Sequence, residues 1–174
     1  MARVYFDWLS HLMLSPGKQV ELVEKAGGEG RLVAVDVRDR QALADAFDEA
    51  ADVRPGLDVL VNNAGYGSYG AIEDVPMEEA RRQFDVNIFG LARLTQLVLP
   101  GMREKGFGKI VNISSMGGKV FTPFGGWYHA TKHALEGWSD CLRLETKEFG
   151  IDVVVVEPGG IKTPWGHIAA ENLK

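Results

Sequence analysis

The chain has 174 residues, of which 45% are hydrophobic and 25% charged, ordinary globular usage rather than disorder, and the length suits one domain with a substantial core. A formal net charge of -5, with Lys and Arg scattered among acids, is the wrong balance for a phosphate backbone, so nucleic acid is not an expected partner. Cys141 is the single cysteine, which rules out an intrachain disulfide and leads us to expect a reducing, cytoplasmic compartment.

The opening stretch from Val4 to Leu14 is apolar but broken by Asp7 and His11, and it lacks the basic start and cleavage pattern of a signal peptide. No run approaches the ~20 apolar residues of a membrane helix, so no membrane partner is expected. Val20, Leu22 and Val23 give a helical pattern from about Lys18 to Ala26, with Gly27 as its C-cap. The run RLVAVDV from Arg31 reads as a strand. Behind Asp39, an N-cap, the segment from Gln41 to Ala51 carries Leu43, Ala46, Phe47 and Ala50 at helix spacing. A second strand, DVLVNNAG, starts at Asp58. Met77 to Leu99 then aligns Phe84, Ile88, Leu91, Leu94 and Leu97 on one side of a helix that is expected to end at Pro100. The strand KIVNISS from Lys109 follows, then a helix from about Tyr128 to Phe149 stopped by Gly150, then the strand DVVVVEPGG from Asp152. Apolar on consecutive positions, these strands are expected to be buried on both faces. Strand and helix alternating in this way predict right-handed crossovers and an open, doubly wound parallel sheet.

Such sheets bind ligands beyond the carboxyl ends of their strands, and here those ends carry Asp36, Asn62 to Gly65, Ser114 and Ser115, and Pro158 to Gly160. In YHATK, Tyr128 and Lys132 stand four apart and share a helix face. A free tyrosine, with a pKa of about 10, is a poor base; an ammonium nearby would lower that value. Tyr128 could then exchange a proton with an alcohol or carbonyl oxygen, held by a second donor such as the Ser115 hydroxyl. His129 and His133 have the i, i+4 spacing of a metal pair, but no Cys or carboxylate completes a set, so they are expected to be a partly exposed pair and no metal is expected. Trp127 and Trp138 are expected to be packing or interface groups.

NNAG at Asn62 to Gly65, Asn87, Ser115, YHATK and PGGIKT from Pro158 to Thr163 stand in an order and spacing that resemble the classical short-chain dehydrogenases/reductases. The intervals are 28 residues from Asn87 to Ser115 and 13 from Ser115 to Tyr128, and the match runs from about Arg31 to Thr163. The resemblance implies a Rossmann-like α/β fold and an oxidoreductase that interconverts an alcohol and a ketone or aldehyde with NAD or NADP. It implies Tyr128 as acid/base, Lys132 as the residue that lowers its pKa and holds the nicotinamide ribose, Ser115 as the carbonyl-orienting donor and Asn87 as the residue that bends its helix and anchors a relay water. Asp36 and Val37 match the pair beside adenine, and Asn63, Ala64 and Gly65 the turn under the adenosine ribose. Pro158, Gly159, Ile161 and Thr163 match the segment at the carboxamide, whereas Asn62 reads as a structural tie between strands. Family helices matching the third one form dimer contacts, so a homodimer or homotetramer is expected, with Ala134, Leu135 and Trp138 suited to the contact.

The sequence departs from the family at both ends. The expected T-G-x-x-x-G-x-G phosphate turn is absent after Phe6, and eleven residues follow Thr163 where the family continues into a substrate region. A single partial domain over residues 1–174, incomplete at both ends, is therefore expected. If Ala2 to Phe6 is nevertheless the central strand, the helix from Lys18 can cross directly to the strand at Arg31. YGSYGAIEDVP after the NNAG turn and Trp165 lean toward an apolar carbonyl substrate. The choice between NAD and NADP falls in the absent region and is not readable. Two other readings stay open: a cofactor-deficient pseudoenzyme acting as a scaffold or interaction protein, and a non-redox nucleotide-binding module, against which Ser115, Tyr128 and Lys132 in register tell.

Overall fold

Every strand pairing among the described residues is parallel, and helices supply the crossovers, giving a Rossmann-like α/β architecture. The structure, a computed structural model, describes residues 2–7, 20–21, 24–27, 29–49 and 57–160. Strand β1 (Ala2–Asp7) pairs with β2 (Glu29–Ala34), Tyr5 lying opposite Leu32. Helix α1 (Arg40–Glu49) follows. The Asp39 side chain accepts from the backbone N–H groups of Gln41 and Ala42, both at 3.0 Å, the N-cap the sequence predicts.

Three further strands, β3 (Val59–Asn62), β4 (Gly108–Ile113) and β5 (Ile151–Val156), form a second parallel sheet in the order β3-β4-β5. The parallel pairing of Ala2 to Phe6 with β2 is the one the direct crossover requires, but among the described residues β1 is not hydrogen-bonded to β3, so the central place expected for it is not met. The expectation of strands buried on both faces also fails. Leu60, Ile110, Ile151 and Val153 are buried under Leu94, Val98, Met102 and Leu142, whereas Val59, Val61, Val154 and Val156 are exposed among the described residues. Burial thus alternates along β3 and β5, since the described helices cover one face of this sheet. A run of valines follows β propensity whether or not both faces are covered.

Between β3 and β4 the chain is helical in three parts: α2 (Met77–Phe84), a π-helical turn over Asp85–Gly90, and α3 (Leu91–Lys105). Helix α3 does not end at Pro100 as expected. Pro100 and Gln96 are both exposed, so water can take the carbonyl that the proline leaves unpaired, and the stop comes at Gly106 in the left-handed region, φ 67°. Helix α4 (Gly126–Thr146) and a short 3-10 turn lead to Gly150, φ 69°, and into β5. Leu135 of α4 is 1% exposed and packs with Ile88 and Leu91. It is therefore a core residue of this chain and not the interface residue the sequence suggested; Trp138 is half-buried beside it, and Ala134 is exposed. Asn62 ties the strands as expected, its amide donating to Asn112 Oδ1 at 2.8 Å, and Asn112 in turn donates to Ser139 of α4 at 2.9 Å.

Candidate active site

The ends of β3, β4 and β5 and the start of α4 converge, because parallel strands deliver all their carboxyl ends to one edge. There the backbone N–H of Ser114 donates to Val156 O at 2.8 Å and that of Met116 to Pro158 O at 3.0 Å. Ser115 is extended, and its Oγ accepts from the Gly117 N–H at 3.0 Å, capping the turn Met116–Gly118. One turn apart on α4, Tyr128 and Lys132 are 6% and 7% exposed, so the shared face is the buried one. Lys132 Nζ donates to Ile113 O at 2.9 Å and lies 5.9 Å from the centre of the Tyr128 ring. The Tyr69 ring packs against that of Tyr128, centroids 5.8 Å apart and tilted by 33°.

Asn87 sits within the π-helical turn, 1% exposed. Its Oδ1 accepts from the Tyr66 N–H, and its Nδ2 donates to Tyr66 O and to Thr131 Oγ1, each at 3.0 Å. The Thr131 hydroxyl donates to the backbone carbonyl of Tyr128 at 2.8 Å, so Asn87 is joined through Thr131 to the helix that carries Tyr128. Gly65 closes this corner. A Cβ there would stand 3.3 Å from Asn87 Oδ1, tight enough to press it aside by a few tenths of an ångström, and would lie in van der Waals contact with Lys132 Nζ at 3.7 Å. Thr131 is a site residue that sequence reasoning missed; its place one residue before Lys132, on the buried face, was the available signal.

Burial raises the Tyr128 phenol above its ordinary value, with the hydrogen bond to Ser115 acting the other way. The depression by Lys132 expected from sequence does not govern here: burial outweighs it, and the ammonium, 5.9 Å from the ring centre, bonds to the β4 carbonyl. Lys132 itself is pulled down to about 8 by burial, with Glu136 opposing. Tyr69 is pushed up to about 12, first by burial and then by Tyr128.

The remaining predicted positions divide. Asp36 accepts from the guanidinium of Arg38, with contacts of 2.6 to 3.0 Å, and this hydrogen bond holds its carboxyl below the usual range. Val37 points into the core, where a Cβ on Gly90 would come within 2.9 Å of it. Asn63 is exposed at the end of β3, Ala64 is half-buried, and Pro158 and Gly159 lie beside Met116. Ile161, Thr163 and Trp165 lie outside the described residues. His129, expected to be partly exposed, is instead buried. Both of its ring nitrogens bond to protein groups, and His133 Nδ1 bonds to His129 O at 2.9 Å, so the pair does not present two free ligands to a metal.

The family model described as short chain dehydrogenase matches residues 13–173. A probable short-chain type dehydrogenase/reductase of Helicobacter pylori is 46% identical over 140 residues, covering 80% of this chain and 52% of that protein. An NADPH-dependent 3-dehydrocapnine reductase of Ornithobacterium rhinotracheale is 41% identical over 150 residues, covering 82% of this chain and 53% of its own length. The crystal structure of a short-chain dehydrogenase from Streptomyces avermitilis superposes with a TM-score of 0.81 at 34% identity, over 94% of this chain and 68% of that one. The chain thus spans about half the length of the curated relatives it matches.

Proposed function

This chain belongs to the short-chain dehydrogenase/reductase family, and on that premise we propose that it is the catalytic part of an oxidoreductase that uses NAD or NADP to interconvert an alcohol and a ketone or aldehyde. The observation that carries the reading is the buried ammonium of Lys132, held beside Tyr128 and facing Gly65 while one β4 carbonyl accepts from it. An ammonium has three donors, so two are left for a ligand, and Gly65 keeps the space before them free of a side chain. The ribose hydroxyls of a nicotinamide nucleotide fit that donor set. When bound, the nucleotide supplies or accepts the hydride.

The residues of the chain handle the proton. Tyr128, raised by burial, keeps its phenolic proton at neutral pH, which is the form required to protonate a carbonyl oxygen as it gains electron density. Ser115 donates a second hydrogen bond to the same oxygen and orients it. The Lys132 ammonium, 5.9 Å from the ring centre, offsets part of the cost of the phenolate left behind without overcoming burial, and Asn87 with Thr131 holds the helix turns in register. Asp36, Val37, Asn63, Ala64, Pro158, Gly159, Ile161 and Thr163 are proposed contacts along the rest of the nucleotide. An apolar carbonyl substrate is supported by Ile72, Met116, Val120, Phe121 and Phe124, exposed apolar side chains around the start of α4 and the loop after Ser115. One relative is, by its name, an NADPH-dependent reductase. A cytoplasmic homodimer or homotetramer completes the reading.

Tyr128→Phe tests it: turnover should fall by about 100-fold or more while folding is unchanged, and retained turnover would refute the role. A second reading, a scaffold without cofactor, is favoured by the lack of a glycine-rich turn in the sequence after Phe6. Titration with NADPH and NADH, followed by tryptophan emission, separates the two. Saturation at micromolar levels supports the enzyme, and no binding at millimolar levels supports the scaffold.

A further inference from the structure

The residue after Tyr128 is occupied in a way the proton chemistry does not use. His129 is 7% exposed and its ring is bonded at both ends. Nδ1 lies 2.9 Å from Gly117 O, and a carbonyl only accepts, so Nδ1 carries the proton. Nε2 accepts from the Thr122 N–H at 3.1 Å and lies 3.0 Å from Thr122 Oγ1. The two bonds together fix a neutral, Nδ1-protonated imidazole. Glycines make the slot for the ring: a Cβ on Gly125 would stand 2.7 Å from Cδ2 and Nε2, and one on Gly117 would stand 3.1 Å from Nδ1 and from Tyr128 Cε1.

These contacts join the two ends of one loop. Gly117 is the residue whose N–H is bonded to the Ser115 hydroxyl, and Gly125 O accepts the His129 N–H at 2.8 Å. A single side chain therefore links the turn that fixes Ser115, the middle of the loop at Thr122, and the first turn of the helix that carries Tyr128. We propose that His129 is a positioning residue that clamps the Ser115–Gly125 loop onto α4, setting the Ser115 hydroxyl against Tyr128 and holding Val120 and Phe121 at the mouth of the site. Its consequence for turnover rests on the roles proposed above for Ser115 and Tyr128. The clamp itself does not.

The test reads the loop first. In the wild-type chain, nitrogen-15 spectra of the histidines should show His129 protonated at Nδ1 and bare at Nε2, and the Thr122 amide should be protected from hydrogen exchange. His129→Ala should speed exchange at Thr122 by about tenfold or more, through the loss of one part-buried hydrogen bond and of the packing of the buried ring, without changing β4 amides. His129→Gln keeps a carbonyl oxygen able to accept from the Thr122 N–H and should restore most of that protection. If the chain turns over, His129→Ala should lower kcat by about tenfold and leave KM for the nucleotide unchanged. Equal exchange at Thr122 in wild type and His129→Ala would overturn the proposal, as would a proton on Nε2 in the wild type. If His129→Ala fails to fold, the wild-type spectrum and the Gln variant decide. A chain that never turns over would refute the enzyme reading and leave the exchange result standing.

Discussion

Replacing Lys132 with methionine should stabilise the fold at neutral pH and lose that advantage as the pH rises. The ammonium is 7% exposed, donates to Ile113 O at 2.9 Å, and is drawn by burial from its ordinary 10.5 down to about 8. The unfolded chain keeps this proton up to about pH 10.5 and the folded chain only to about pH 8. At pH 7 the difference costs the fold about 3 kcal/mol. Methionine removes that cost, and loss of the bond to Ile113 O returns about 1 kcal/mol, leaving a net gain of about 2 kcal/mol. Between the two values the unfolded state binds more protons, so wild-type stability rises with pH, whereas the variant has no such rise. Urea unfolding followed by circular dichroism should show the gap narrowing by about 2 kcal/mol from pH 7 to pH 9.5. Parallel profiles for the two proteins, or a methionine variant less stable at pH 7, would refute the claim that a costly buried ammonium is held here. The same substitution should abolish nucleotide binding, which would place stability and function in opposition at one side chain.

Two further substitutions test the packing. Leu135→Ala should cost about 2–5 kcal/mol as a cavity in the core, with the loss in urea unfolding independent of protein concentration; a concentration-dependent loss would return Leu135 to a subunit interface. Gly106 and Gly150 have nearly the same φ, 67° and 69°, but an added Cβ meets nothing at Gly106 and lies 2.4 Å from Gly106 O at Gly150. Gly106→Ala should therefore cost about 1 kcal/mol and Gly150→Ala about 3 kcal/mol or more, and equal losses in Tm would refute the steric distinction.

The element order was legible because β3, β4 and β5 announce themselves by runs of Val, Ile and Leu, and several helices by a cap or a stop such as Asp39 and Gly150. Asp39 and Gly150 act where the sequence puts them, through backbone groups within a few residues. Pro100 misled because a missing N–H matters only if its former partner is buried, and solvent exposure is not written in a single residue. The faces of β3 and β5 misled for a related reason. Whether Val61 and Val154 are covered depends on which other elements lie against them, a property of the assembly that β propensity does not encode.

The site shows the same division at the level of single atoms. Spacing brought Tyr128 and Lys132 to one helix face, since the 3.6-residue period makes that a local consequence of sequence. Spacing could not fix their electrostatics, because the distance from Nζ to the ring depends on the Ile113 carbonyl, supplied by a strand 19 residues away in sequence. His129 is the sharper case. Read along the helix, it pairs with His133 and is expected to be partly exposed; read in space, its ring is buried between Gly117 and Gly125, whose lack of side chains is what admits it. The two glycines in the loop and the histidine on the helix constrain one another, so substituting either glycine with alanine should free the Thr122 amide as His129→Ala does. That equivalence would hold only if the loop is fixed by the ring between them.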